Sequence, residues 1–253
     1  MFAIACKTVP LTGRKGLKLI SSNEINAMSF QQYAELKESS TLSSNAQQVK
    51  LVKKVGENIQ RATTKFLTDK GYGELLDGYE WEFNLIESED VNAFCMPGGK
   101  VAFYTGILPY CKDETGIAVV MGHEIAHAIA EHGNERLSQQ MIQQLGGVAL
   151  AVALNEQPSE TQALFMAAYG IGSQYGVMLP FSRKHESEGD ELGLYCMALA
   201  GYNPQEAPKF WERMSQSSGP KPPEFLSTHP SDETRIADLK AHMPKAMEYY
   251  KNR

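Results

Sequence analysis

The sequence predicts a mainly helical α+β fold, and three observations carry that reading. Val52, Val55, Ile59, Ala62 and Phe66 recur at steps of three and four, the mark of a helix with one face on a core. Trp81–Ile86 alternates well enough for a half-buried strand, and the run from Asn92 to Gly106 reads as strand, tight turn, strand about Pro97-Gly98-Gly99. Downstream, two stretches place histidines and carboxylates at helical spacing, His123 to His127 and Glu186 to Asp190.

A chain of 253 residues with 42% hydrophobic and 21% charged residues has the make-up of an ordinary soluble globular enzyme. Its net charge of −6 and pI near 5.6 argue against a nucleic-acid partner, which requires a basic face. No apolar run reaches the length of a membrane span. The 4 cysteines, Cys6, Cys95, Cys111 and Cys196, form no C-x-x-C pair, so neither a thiolate metal site nor a disulfide framework is indicated.

Taken in order, Met1 to Cys6 is apolar and small-residued, then yields at once to a polar, basic stretch through Lys18. This looks like the end of a bacterial lipoprotein signal, with Cys6 as the lipidation candidate and the membrane as a partner through that anchor. Residues 1–43 are accordingly read as signal remnant, anchor candidate and lead-in, with a short helix over Asn26–Lys37. Residues 44–253 are read as the catalytic domain. Lys100, Val101, Ala102, Phe103 and Tyr104 lie just before a histidine-bearing helix, a natural place for an extended peptide to dock by strand pairing. Met141–Leu154 and Thr161–Leu179 are rich in Ala, Gly, Met and Leu and suit core helices, a lid or an interfacial element. Asn203-Pro204-Gln205-Glu206 is a helix start, Phe210, Trp211 and Met214 a buried stripe, and Ser231 a cap for a last helix through Leu239.

The chemistry concentrates in His123-Glu124-Ile125-Ala126-His127, an H-E-x-x-H motif. Residues four apart share one helix face, so both imidazoles can reach one metal ion, and Glu124 between them is placed to take a proton from a water that the metal activates. Asp113 can cap this helix and Gly133 can end it. With 6 histidines in the chain, a chance match is expected on the order of once in 100 such sequences. A catalytic zinc needs a third protein ligand, and the run Phe181 to Gly193 offers it. Glu186 and Asp190 share a face there, suiting one carboxylate on the metal and another behind a ligand histidine; His185 and Glu188 compete by position. His132 falls out of register for a third zinc ligand and reads as a helix-end histidine favoured by the dipole.

HEIAH, the run Arg183, Glu186, Asp190, the preceding N-A-F-x-x-P-G-G hairpin and the following Thr228-His229-Pro230 together resemble the family of CaaX prenyl endopeptidases and HtpX. The likeness is greatest to that family's soluble bacterial periplasmic members and its mitochondrial stress-activated protease, and it runs from about Asn45 to Lys240. It implies a zincin-like (gluzincin) fold with a small curved sheet whose edge strand lies beside the H-E-x-x-H helix. It implies one zinc per chain held by His123, His127 and Glu186, with Asp190 behind a ligand histidine and His229 as an active-site residue that helps hold the oxyanion. It further implies an endopeptidase acting on unfolded or misassembled envelope proteins, in the periplasm and membrane-associated through Cys6, or else soluble there or in the cytoplasm. A restrained peptide-binding chaperone or adaptor, or a zinc hydrolase of another substrate class, is the alternative. Gly189 departs from the pattern, which usually has Ala beside the Asp.

Overall fold

Three strands organise the molecule. In the computed structural model, which describes residues 6–141, 182–216, 225–226, 229 and 234–252, strands β3 (Glu82–Ile86), β4 (Ala93–Met96) and β5 (Lys100–Tyr104) form one sheet in the order β3-β5-β4. β4 and β5 are the expected hairpin, with Gly98 and Gly99 supplying φ of 76° and 85° at the turn, a conformation that glycine adopts without a Cβ penalty. β3 pairs with β5 in parallel, Glu82 opposite Lys100 through Ile86 opposite Tyr104.

This order corrects one expectation. Lys100 to Tyr104 is the central strand, hydrogen-bonded on both sides, and cannot accept a peptide by edge pairing. Val101, Ala102 and Phe103 are fully buried, and the Lys100 ammonium lies 4.6 Å over the Phe30 ring and 3.6 Å from both Glu80 and Glu82. Among the described residues, the strand with one unpaired side next to the histidine helix is β4.

Helices cover both faces of the sheet. Helix α1 (Ser22–Ser39) begins in a capping box between Ser21 and Glu24 and lays Ile25 and Tyr33 on Phe94, Met96 and Ala102. The Tyr33 hydroxyl donates to the Val101 carbonyl, and Ser29 Oγ donates to Pro97 O at 2.7 Å. On the other face, α2 (Ala46–Asp69), capped by Asn45, sets Val52, Val55, Ile59 and Leu67 against Phe83, Leu85, Val101 and Phe103. The lead-in segment therefore packs on the sheet that follows it. A small antiparallel hairpin, β1 (Cys6–Thr8) with β2 (Lys15–Leu17), precedes α1, and Cys6 is its first residue.

After a short helix α3 (Leu108–Cys111), α4 (Glu114–Ile129) runs through the centre of the molecule, buried on every side from Gly116 to Ile129. It ends before Gly133. Glu131 takes the left-handed turn instead, at φ 54°, and residues 132–141 resume a helix in which Gly133 lies. Helix α5 (Arg183–Leu199), capped by Ser182 and ended by Gly201 at φ 89°, crosses α4 with almost nothing between the backbones. A Cβ on Gly193 would stand 3.0 Å from both Cα and N of His123, and one on Gly122 would stand 2.8 Å from the Gly193 carbonyl oxygen. Helices α6 (Glu206–Gln216) and α7 (Arg235–Lys251) close the core, α7 running well past Leu239. Thr161–Leu179, all of Met141–Leu154 but its first residue, and Ser231 lie outside the described residues. No described helix is long and apolar enough to cross a membrane, and Cys95, Cys111 and Cys196 are buried free thiols.

Candidate metal centre

Asp113 starts α4 by accepting the N–H groups of Thr115 and Gly116 at 2.9 and 3.0 Å, which fixes the phase of the helix from its first turn. That phase stacks His123 over His127 on one face, with Nε2 atoms 3.0 Å apart. The close crossing of α5 then brings Glu186 to the same point, with oxygens 3.5 Å from each of these nitrogens. His229 joins them, its Nδ1 lying 3.2 Å from His123 Nε2 and 3.0 Å from Glu186 Oε1. All four side chains are buried, and their donor atoms lie within 4.8 Å of one another.

The residues fit a zinc ion on their own chemistry. Two imidazole nitrogens and a carboxylate converge where a metal with bonds of about 2.0–2.1 Å would hold its ligands roughly 3.3 Å apart. Oε2 of Glu186 makes no well-aligned hydrogen bond, its neighbours being Arg235 Nη1 at 3.2 Å and His123 Nε2 at 3.5 Å. The floor beneath is kept clear by Gly189, since a Cβ there would stand 2.6 Å from His127 Nε2 and 3.2 Å from His123 Cε1.

Glu124 points to the same cavity without joining the cluster. Oε1 is 3.3 Å from His229 Nε2, and the Cys95 backbone of β4 lies on the side of the carboxylate, where its N–H favours the charged form. Burial raises its pKa, against the pull of His229 and His123. Burial acts the same way on Glu186, but His229, His123 and Arg235 overcome it and hold that carboxyl well below the usual range. Burial lowers His127 well below its ordinary value, reinforced by the His123 charge. His123 runs the other way: burial opposes its charge, yet Asp190 and Glu186 beside it raise its pKa to about 9.

Asp190 sits behind His123, Oδ1 being 2.9 Å from Nδ1, and is itself held by Arg235 Nη2 at 2.7 Å. Arg235 also lies 3.2 Å from Glu186 Oε2 and stacks 3.3 Å over the Trp211 ring. Sequence reasoning missed Arg235, because its role depends on α7 folding back across α5. Arg183, in the motif, is exposed at the start of α5. His132 also needs correction. It is fully buried, with Nδ1 3.0 Å from His127 Nδ1 and Nε2 2.8 Å from Glu188 Oε2, so it serves the site and not a helix end. A restart of the helix just after Glu131 returns it beneath His127. Glu188, a competitor for the metal by position, faces His132 and the N-terminal loop.

The sequence matches the description of peptidase family M48 over residues 54–243, most of the chain. The chain belongs to peptidase family M48. It is 35% identical over 190 residues to "Mitochondrial metalloendopeptidase OMA1" of Schizosaccharomyces pombe, covering 74% of this chain and 53% of that protein. The Saccharomyces cerevisiae protein of the same name is 38% identical over 184 residues, covering 70% of this chain and 51% of that one. To the "Beta-barrel assembly-enhancing protease" of Escherichia coli it is 32% identical over 171 residues, 63% of this chain and 34% of the other. The chain thus spans about half the length of these fungal M48 relatives and about a third of the bacterial one. M48 metalloproteases are zinc-dependent, and the buried His–Glu cluster is where this chain would hold the ion.

Proposed function

We propose that this protein is a zinc-dependent endopeptidase of protein quality control, acting on unfolded or misassembled envelope proteins. The observation that carries the reading is the convergence of His123, His127 and Glu186 on one buried point with Glu124 beside it but outside the ligand set. The name of the fungal relatives, a metalloendopeptidase, supports the endopeptidase class, and that of the bacterial one, a protease that enhances β-barrel assembly, supports a role in quality control. Residues 44–253 would form the peptidase unit, in a gluzincin arrangement with the edge of the sheet beside the metal helix.

His123, His127 and Glu186 would hold the ion. A bound zinc supplies Lewis acidity, acidifying water and polarising a peptide carbonyl. β4 provides the platform for the substrate. Tyr104 N–H donates to Asn92 O, so by the antiparallel alternation residues 93 and 95 turn their peptide groups away from β5 and towards the free side. A peptide extended along that side passes Glu124, whose carboxylate lies beside the Cys95 backbone. Glu124 takes a proton from the attacking water and passes it to the leaving amine, and burial, which raises its pKa, strengthens it as a base. His229 Nε2 lies on the Glu124 side of the cavity, where it can donate to the oxygen that gains charge as the carbonyl becomes tetrahedral.

One observation favours a restrained variant of the same reading. His229 Nδ1 takes the fourth corner of the donor cluster, the corner that water needs. In that arrangement the chain would bind peptide without cutting it until His229 withdraws. Metal analysis combined with casein digestion, with and without a chelator and with Glu124→Gln as control, tests the assignment. Digestion that needs both zinc and Glu124 supports it, and a zinc-loaded protein that binds casein without cleaving it selects the restrained form.

A further inference from the structure

The two ligand histidines are backed by different chemistry. Behind His123 stands a carboxylate, Asp190, the usual group for orienting a metal-binding imidazole. Behind His127 stands another imidazole, His132, with the two Nδ1 atoms 3.0 Å apart. Two like nitrogens at that distance share a single proton, and the side that carries it decides whether His127 can bind a metal. If His132 donates, the proton of a neutral His127 is left on Nε2, the atom that faces His123 and Glu186. If His127 donates, Nε2 keeps its lone pair for the ion.

The far side of His132 settles the direction. Its Nε2 lies 2.8 Å from Glu188 Oε2, and Glu188 is gripped from the N-terminal loop by Arg14 Nε at 2.5 Å and by the Thr12 hydroxyl. A carboxylate held by an arginine is an acceptor, so His132 carries its proton on Nε2 and accepts on Nδ1. Arg14 is held in turn by Glu135 at 2.7 Å, and His132 is stacked on the His185 ring at 4.5 Å and 25°. The ring of His132 therefore has little freedom to turn. We propose that His132, set by Glu188 and through it by Thr12 and Arg14, is a positioning residue that selects the metal-binding tautomer of His127. The N-terminal loop, 174 residues from Glu188 in the chain, is on this reading part of the metal site.

The inference rests on the zinc assignment above but not on peptidase activity, and its test separates the two. Zinc stoichiometry of the parent protein tests the assignment, whereas the dissociation constants of variants relative to the parent test the relay. With competition against a chromophoric chelator, His132→Leu and Glu188→Leu should each bind zinc about 10–100-fold more weakly than the parent. His132→Gln, whose amide oxygen can accept from His127 Nδ1–H, should recover most of that loss. The cobalt-substituted Leu variants should show an altered visible spectrum and the Gln variant a nearly parental one. A packing role alone would lower the melting temperature of all metal-free variants while leaving zinc affinity within threefold and Gln no better than Leu, and that result overturns the proposal. Should the Leu variants fail to fold, ring ¹⁵N shifts of the parent protein decide the matter. His132 protonated on Nε2 alone supports the relay, and His132 protonated on Nδ1 refutes it.

Discussion

Replacing Glu186 by Gln, set beside the same change at Glu124, separates ligand from base. Glu186 is one of four converging donors, its oxygens 3.5 Å from both zinc-facing nitrogens of α4. Structural zinc sites with four ligands bind with about 10–16 kcal/mol, which sets the scale for one ligand, here one of three, at about 2.5–4 kcal/mol. That corresponds to a dissociation constant weakened roughly 10²–10³-fold. The substitution is isosteric, so no cavity is opened, and Arg235 keeps its contact with Asp190 at 2.7 Å. The loss should therefore appear in metal affinity with the fold intact. Glu124 lies outside the donor cluster, so Glu124→Gln should leave zinc affinity within about threefold while lowering turnover roughly 10²–10⁴-fold, the usual range for a lost general base. Chelator competition gives the affinities, and digestion of an unfolded protein at saturating zinc gives the rates. Equal metal loss in both variants, or none in Glu186→Gln, would refute the ligand assignment.

Three further outcomes are expected. His229→Ala should keep fold and zinc, and its rate should fall by roughly 10²–10³ for a lost oxyanion donor; a rate above the parent would show instead that His229 holds the fourth corner shut. Zinc binding should release a proton from His123, whose pKa in the metal-free protein is about 9 against 6.5 for an ordinary histidine. That proton stabilises the metal-free fold below pH 6.5 and its contribution fades as pH rises to about 9, so zinc affinity should tighten by about tenfold per pH unit across that window, measurable by calorimetry in buffers of differing ionisation heat. The precursor expressed in a bacterial host should incorporate labelled palmitate and partition with membranes, and Cys6→Ser should abolish both; an unlabelled parent protein removes the anchor from the account.

The helical parts of the site were legible because their information is local. H-E-x-x-H needs only a helix to stack two imidazoles, and the spacing from Glu186 to Asp190 needs only another. What remained hidden depends on how distant segments meet. Lys100 to Tyr104 suggests an edge because it lies just before the histidine helix, but β3, which precedes the hairpin in the chain, pairs with it in parallel, and position in the sequence does not record that insertion. His132 looked peripheral because Gly133 resembled a stop signal. The stop falls instead on Glu131, where Lys18 binds the carboxylate at 2.6 Å from the N-terminal segment. Arg14 and Arg235 lie more than a hundred residues apart on either side of the metal helix, and nothing in their neighbourhoods marks them as partners of its histidines.

The contact between Gly122 and Gly193 has a consequence for how this centre can vary. The separation between the histidine helix and the glutamate helix is set by main chain resting on main chain, with no side chain to act as a spacer. Neighbouring core residues such as Met197, Leu194 and Val120 can change volume, and the cost falls on stability; the gauge of the ligand cage stays the same. One methyl group at either glycine changes that gauge directly. Two positions that touch neither metal nor substrate thus carry the dimensions of the site.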